Sequence, residues 1–192
     1  MRKRFPVLLS LILFILLCGC AGPETDPGIA LRSRILEKGC CFDAEITADY
    51  GDSLSVFSVR CRADNGGETA FTVTAPESIA GISGTLSAGT GKLLFEGEKA
   101  VAFPLLAEGL LTPAAAPWIF VRTLRSGNLI ASGREGDCTR LSIDDSFRED
   151  ALRLDIWLDG AGDPAKADIS YGGQRYLSMG ITNFRTEENT DA

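Results

Sequence analysis

The chain has 192 residues, with 26 acidic and 19 basic side chains, a formal net charge of −7 and no histidine. The lack of histidine excludes catalytic sites of the Ser-His-Asp and Cys-His types and most transition-metal sites. We therefore expect a protein that is not an enzyme and that uses no cofactor and no metal. The excess of negative charge disfavours nucleic acid as a partner, because it repels the phosphate backbone.

The N-terminal segment has the pattern of an export signal. The basic residues Arg2–Arg4 precede the uncharged apolar run Phe5–Leu17, which is too short for a bilayer span of about 20 residues but fits the core of a signal peptide. The run ends in Leu-Cys-Gly-Cys at 17–20, which resembles a bacterial lipobox. The resemblance implies removal of a signal peptide, 1–19, and acylation of Cys20 by palmitate-type chains. The alternative is an uncleaved N-terminal helix with incidental cysteines.

An acylated Cys20 predicts a lipoprotein anchored on the extracytoplasmic face of a bacterial membrane. Each buried acyl methylene contributes about 0.8 kcal/mol, so two or three chains hold a protein firmly. Residues 20–28 then form a lipidated tether, because their prolines and glycines leave no periodic pattern.

A short helix is predicted after the tether, over residues 29–38. Its apolar residues recur at Ile29, Leu31, Ile35 and Leu36. Asp26-Pro27 is a suitable start for a helix and Gly39 a suitable end.

From Cys41 onwards, apolar and polar residues alternate as in strands that bury one face. Turn residues recur about every eight to twelve positions, which is typical of an antiparallel meander. One helix interrupts the strands, from Pro113 to Ser126, and Pro117 is expected to delay its start. The domain spans 29–184, and 185–192 is a polar tail. The predicted strands cover 42–50, 54–64, 68–74, 81–87, 92–95, 99–105, 129–135, 139–144, 151–158, 165–171 and 174–184.

Four segments carry a resemblance to a known family: AEITADYGD (44–52), FTVTAPESIAGISGTL (71–86), LLTPAAAPWIFVRTL (110–124) and LRLDIWLDGAGDPAKADISYGGQRYLSMGITNF (152–184). In this order they resemble the LolA/LolB-like lipoprotein carrier superfamily, and more closely its Gram-positive-type branch of sporulation and germination lipoproteins. The resemblance implies a mostly β (α+β) fold, a strongly bent antiparallel half-barrel with a short N-terminal helix and one inserted helix as a lid. It also implies a lipid or lipoprotein ligand, since carriers of this family hold acyl chains in the concavity.

Twelve apolar side chains are candidates for lining such a lipid cavity. The alternative, which is favoured for each residue taken singly, is that the lid and the floor pack on each other as a filled core. The candidates are Trp118, Phe120, Val121 and Leu124 in the lid, and Phe42, Ile46, Phe57, Val59, Phe71, Val73, Leu154 and Ile156 in the floor.

Four cysteines downstream of the lipobox are candidates for disulfides, because disulfides persist outside the cytosol. Cys41 and Cys61 lie on consecutive strands of a predicted hairpin, in which the numbers of paired residues add up to roughly 103. This places the two within disulfide reach and leaves Cys40 to pair with Cys138. The alternative is that all four are free thiols.

The favoured functional hypothesis is a membrane-anchored, non-enzymatic lipoprotein that binds a lipid or acyl-bearing ligand. The alternative is a protein-interaction module that holds or activates an envelope or cell-wall enzyme of the sporulation type. A third hypothesis starts from Gly51-Asp52-Ser53-Leu54, the sequence motif of a lipase family. It fails because a nucleophilic serine needs a base and the chain has no histidine, so a turn is predicted there instead.

Overall fold

A computed structural model describes residues 26–87, 90–95, 99–104, 106–107, 110–146 and 152–186. The signal segment, Cys20, most of the tether and residues 187–192 of the tail lie outside the described residues. Within them the chain forms two α-helices, α1 (Pro27–Lys38) and α2 (Ala116–Ser126). The strands are β1 (Cys40–Asp49), β2 (Leu54–Ala63), β3 (Thr69–Ala75), β4 (Ser83–Ser87), β5 (Thr90–Phe95), β6 (Lys99–Pro104), β7 (Leu106–Ala107), β8 (Leu110–Leu111), β9 (Asn128–Glu135), β10 (Cys138–Asp144), β11 (Leu152–Leu158), β12 (Pro164–Tyr171) and β13 (Gln174–Arg185).

Helix α1 begins and ends at the predicted signals. The Asp26 carboxylate accepts hydrogen bonds from the backbone N–H groups of Gly28 at 2.8 Å and Ile29 at 3.4 Å, which satisfies donors that a helix start leaves open. At the other end Gly39 has a φ of 73° and donates its N–H to the carbonyl of Ile35 at 2.9 Å. The chain then turns directly into β1.

Eleven of the strands form one open, curved antiparallel sheet, in the order β6-β5-β4-β3-β2-β1-β13-β12-β11-β10-β9. The first strand pairs with the last near the middle of this order, so both halves of the chain meet at β1 and β13. β7 and β8 form a separate two-stranded sheet. The predicted mostly β half-barrel with a short N-terminal helix and one inserted helix is confirmed.

Helix α2 lies against one face of the curved sheet, which we call the inner face. Its Phe120 ring meets the ring of Phe42 on β1 edge to face, with the centroids 5.4 Å apart. Side chains of this helix, of α1 and of the inner face form one buried cluster. The predicted delay from Pro117 is also present, because a 3₁₀ turn at Pro113–Ala115 precedes the α-helix.

Helix α1 is fastened to the end of α2 by Arg32. The Arg32 guanidinium donates from Nε to the carbonyl of Leu124 at 2.7 Å and from Nη2 to that of Gly127 at 2.6 Å. These carbonyls belong to the C-terminal end of α2, where backbone acceptors lack helical partners and the helix dipole favours a cation. Arg32 thereby fixes the position of one helix relative to the other.

Neither predicted disulfide is formed by the four described cysteines. The paired residues of β1 and β2 do add up to 103, with Cys41 opposite Arg62 and Phe42 opposite Cys61. Cys41 and Cys61 are therefore one position out of step, and successive side chains of a strand point to opposite faces. Cys61 lies on the buried inner face and Cys41 on the other, the outer face.

Candidate functional site

The twelve predicted cavity-lining residues are brought together by the fold. Eleven of them are buried, and only Phe57 remains partly accessible. The lid residues of α2 rest directly on the floor residues of the sheet, so the inner face at this point is a filled core. Whether any of these residues contacts a ligand stays a prediction.

The inner face continues beyond α2 onto β4, β5 and β6, which we call the wing. Phe71 on β3 pairs with Gly84, Gly84 with Leu93 and Leu93 with Val101, so these positions form one row across the inner face. Gly84 leaves space for the neighbouring Phe71 and Leu93 side chains, because an added Cβ would lie 2.6 Å from the Phe71 ring and 3.1 Å from Leu93. The Phe71 side chain is buried, Leu93 is half-buried and Val101 is 51% exposed. The row thus leads from the core to an uncovered apolar surface.

The wing row is the part of the apolar inner face that sequence reasoning missed. Its strands were predicted, but no face was assigned to Leu93 or Val101. The missing information was the register of β5 with β6, which places these two residues opposite each other, because cross-strand partners share a face.

The outer face of β10–β13 is closed by an ion-paired layer. Asp155 and Asp168 lie opposite each other on β11 and β12 and are almost buried. Asp155 accepts a hydrogen bond from Ser142 and pairs with Arg140 at 3.1 Å. The hydrogen bond between Arg140 and Asp155, together with the charge of Asp155, raises the pKa of Arg140. Asp168 pairs with Lys166 at 3.3 Å. Both carboxylates are thus held by cations, so the pair is a structural layer rather than an acid–base dyad.

A cavity of about 600 Å³ lies on the outer face across β3, β2, β1 and β13. Asp43 accepts a hydrogen bond from Asn183 at 2.8 Å and pairs with Arg60 at 3.2 Å. The hydrogen bond from Asn183, followed by Arg60, holds the pKa of the Asp43 carboxyl below its usual value. Asp43 is thus held as an ionised carboxylate by Asn183 and Arg60.

A second groove, of about 560 Å³, lies between the two helices and the β2–β3 turn. Leu36 of α1 and the side chains of Trp118, Arg122 and Arg125 of α2 line it, with Asp64 and Glu68 of the turn on the other side. We call it the helix groove. The groove forms because the packing of the two helices brings Arg122 and Arg125 of α2 next to α1.

The predicted turn at Gly51-Asp52 is confirmed between β1 and β2. The N–H of Tyr50 donates to the carbonyl of Ser53 at 3.0 Å, and the N–H of Gly51 donates to the Asp49 carboxylate at 2.9 Å. Ser53 is exposed in this turn.

Neither helix among the described residues is long and apolar enough to cross a bilayer. Within the same residues, no group of three or more histidine, cysteine, aspartate or glutamate side chains could hold a metal ion.

Comparisons with known proteins give structural neighbours only. No family model and no curated protein sequence matches the chain. Similar solved structures include an uncharacterized conserved protein from Thermus thermophilus (TM-score 0.46, 12% identity, covering 85% of this chain and 88% of that one). Others are a LolA superfamily protein from Nitrosomonas europaea (0.43, 9%, 85% and 95%) and a putative outer membrane lipoprotein-sorting protein domain from Vibrio parahaemolyticus (0.42, 11%, 89% and 95%). With TM-scores below 0.5, no function or ligand is transferred from them, and membership of the sporulation branch stays a prediction.

Proposed function

We propose that this protein is an exported, lipid-anchored binding protein that is not an enzyme and holds an acyl-bearing ligand against the inner face of its wing. The observation that carries the proposal is the uncovered end of the apolar row at Leu93 and Val101. An acyl chain laid there buries apolar surface on both partners, at about 25 cal/mol per Å².

The wing is the preferred site because the deeper part of the inner face is occupied by α2. A ligand that reached Phe42 or Phe120 would first have to displace that helix. Truncating one buried phenylalanine already costs about 3–5 kcal/mol, so lifting the whole helix face would cost more. The chain of the ligand therefore enters from the open edge of the wing and ends against Phe71.

The test compares two apolar-to-acid substitutions on exposed strand positions. Val101→Asp places a carboxylate on the inner face of the wing, whereas Leu54→Asp places one on the outer face, where Leu54 is 67% exposed. Binding of a fluorescent fatty acid to the purified chain is titrated for both variants. We expect Val101→Asp to weaken binding by about tenfold or more, because a charge must be desolvated under the acyl chain. Equal affinities of the two variants would refute the wing as the site.

The anchor is tested at Cys20. Cys20→Ala should release the chain from the membrane fraction or leave an unprocessed precursor, because acylation of that sulfur replaces the signal as the anchor. Fractionation and intact mass measurement distinguish these forms. A fully processed product that stays in the membrane fraction would contradict the lipidation.

The second candidate function is a module that holds or activates an envelope or cell-wall enzyme. It is favoured by Leu54 and Val56, which are both exposed on the outer face of β2 and lie two residues apart on the same side. An apolar pair of this kind is a small anchor for a protein partner. Native mass spectrometry of the protein purified from cells separates the candidates, since a retained lipid supports the first and a bound protein lost in Leu54→Asp supports the second.

A further inference from the structure

The helix groove is lined by two arginines of α2. Arg122 lies over the Trp118 ring, 5.1 Å from its centroid, and Nη1 of Arg125 is buried with no hydrogen-bond partner among the described residues. Arg34, by contrast, pairs with Asp163 at 2.9 Å. A buried donor without an acceptor is costly, so an acceptor that reached Nη1 of Arg125 would be stabilised there.

The nearby acids and carbonyls do not supply that acceptor. The Asp64 carboxylate accepts the backbone N–H of Glu68 at 2.8 Å and is thereby committed to its own turn. The carbonyls at the end of α2 are already taken by Arg32. The Glu68 carboxylate also lines the groove but is exposed and solvated, and Arg122 and Arg125 are the two cations of the lining.

An exposed apolar side of α1 runs from the groove towards the N-terminal end of this helix. Leu36 and Ile29 are 45% and 56% exposed, and they are two helical turns apart on one side of α1. Helix α1 starts at Pro27, so the segment back to Cys20 spans at most about 25 Å at full extension. The groove and this exposed side of α1 are therefore within reach of the membrane surface.

We propose that the helix groove binds the headgroup of an anionic phospholipid, with Arg122 and Arg125 donating to its phosphate oxygens and Leu36 contacting the adjoining acyl carbons. A guanidinium fork matches the geometry of phosphate oxygens, which a single ammonium does not. The inference rests on the membrane location given in the proposed function, but not on the acyl site at the wing. It assigns the chain a second lipid contact, made with the bilayer that holds it.

The test titrates the purified full chain with soluble dihexanoyl phosphatidylglycerol, dihexanoyl phosphatidylcholine and inorganic phosphate. The chain has two tryptophans, so Trp157→Phe makes Trp118 the single reporter in the groove, and calorimetry gives an independent affinity. We expect phosphatidylglycerol to bind about tenfold more tightly than the other two, because only it combines a net negative headgroup with acyl carbons. Equal affinity for phosphatidylcholine or for inorganic phosphate would overturn the proposal.

Charge variants assign the binding to the groove. Arg122→Gln and Arg125→Gln should each weaken phosphatidylglycerol binding about fivefold or more, while Arg122→Lys retains part of it. Arg134→Gln removes one exposed positive charge outside the groove and should change nothing. An equal loss in Arg134→Gln would show a net-charge effect and reject the site. Val101→Asp should leave the affinity for phosphatidylglycerol unchanged. The fatty-acid titration therefore tests the wing site, and the phosphatidylglycerol titration tests the groove independently.

Discussion

Gly39 joins α1 to β1 in a conformation and a space that only glycine fits. Its φ of 73° and ψ of −168° lie in a region that other residues almost never adopt. A Cβ at this position would also lie 2.4 Å from the carbonyl oxygen of Ala63 and 3.0 Å from the carbonyl carbon of Asp64. Both neighbours are backbone atoms, so neither can move aside without shifting the β2–β3 turn. Gly39→Ala therefore perturbs the attachment of α1 to the sheet.

The expected loss of stability follows from these two terms. The backbone conformation costs about 1–3 kcal/mol for a residue with a side chain, and forcing an extra carbon into a filled space costs about 1–3 kcal/mol. Alanine also lowers the conformational entropy of the unfolded chain, which stabilises the folded state by about 0.5–1 kcal/mol. We expect Gly39→Ala to lower the free energy of unfolding by about 1–5 kcal/mol.

Gly51→Ala is the matched control for the backbone term. Gly51 also has a positive φ, 84°, but a Cβ added there would have no atom within 4 Å. Gly51→Ala should lower the free energy of unfolding by about 1 kcal/mol. Urea unfolding of both variants, followed by circular dichroism, measures the difference. If Gly39→Ala costs no more than Gly51→Ala, the contact with the Ala63 carbonyl is not as described and the reasoning fails.

Three further predictions concern single groups. Arg32→Ala should lower the free energy of unfolding by about 2 kcal/mol or more, because two charge-assisted hydrogen bonds to the end of α2 are lost; a urea midpoint equal to that of the unchanged protein would contradict this. Iodoacetamide at pH 8 should modify Cys41 before the buried Cys40 and Cys61, because burial raises the pKa of the Cys40 thiol to about 12. Peptide mass measurement identifies the labelled cysteine, and labelling of Cys40 first would contradict its burial. The free energy of unfolding should also fall as pH rises above about 9, by about 1 kcal/mol per buried thiol at pH 10, because the unfolded thiol ionises there and the folded one does not; a flat profile between pH 8 and 10 would argue against it.

The secondary structure was largely readable from the sequence. Strands with one buried face alternate strictly, so β11 with Leu154 and Ile156 could be bounded to within a residue. Glycine and proline marked the turns, and Gly39 ended α1 as expected. Because these signals are local, they predicted both the type of each element and its bounds.

What the sequence could not show depended on contacts between distant segments. The hairpin of β1 and β2 was predicted in register, yet a single position decides whether Cys41 and Cys61 share a face. The filling of the inner face by α2 depends on how far the sheet curves and on Arg32, which holds the helix from α1. The helix groove likewise exists only because both helices pack side by side.

The pairing of β1 with β13 has a consequence for how the chain becomes a folded protein. Asp43 and Asn183, which bond across these strands, are 140 residues apart. Until the last strand is available, β1 and β12 both keep an open edge in the interior of the sheet order, and unpaired edges invite pairing with other chains. Long-range pairings of this kind also form slowly. A chain truncated before Gln174 is thus expected to lose the seam between its two halves and to aggregate, rather than to lose one peripheral strand.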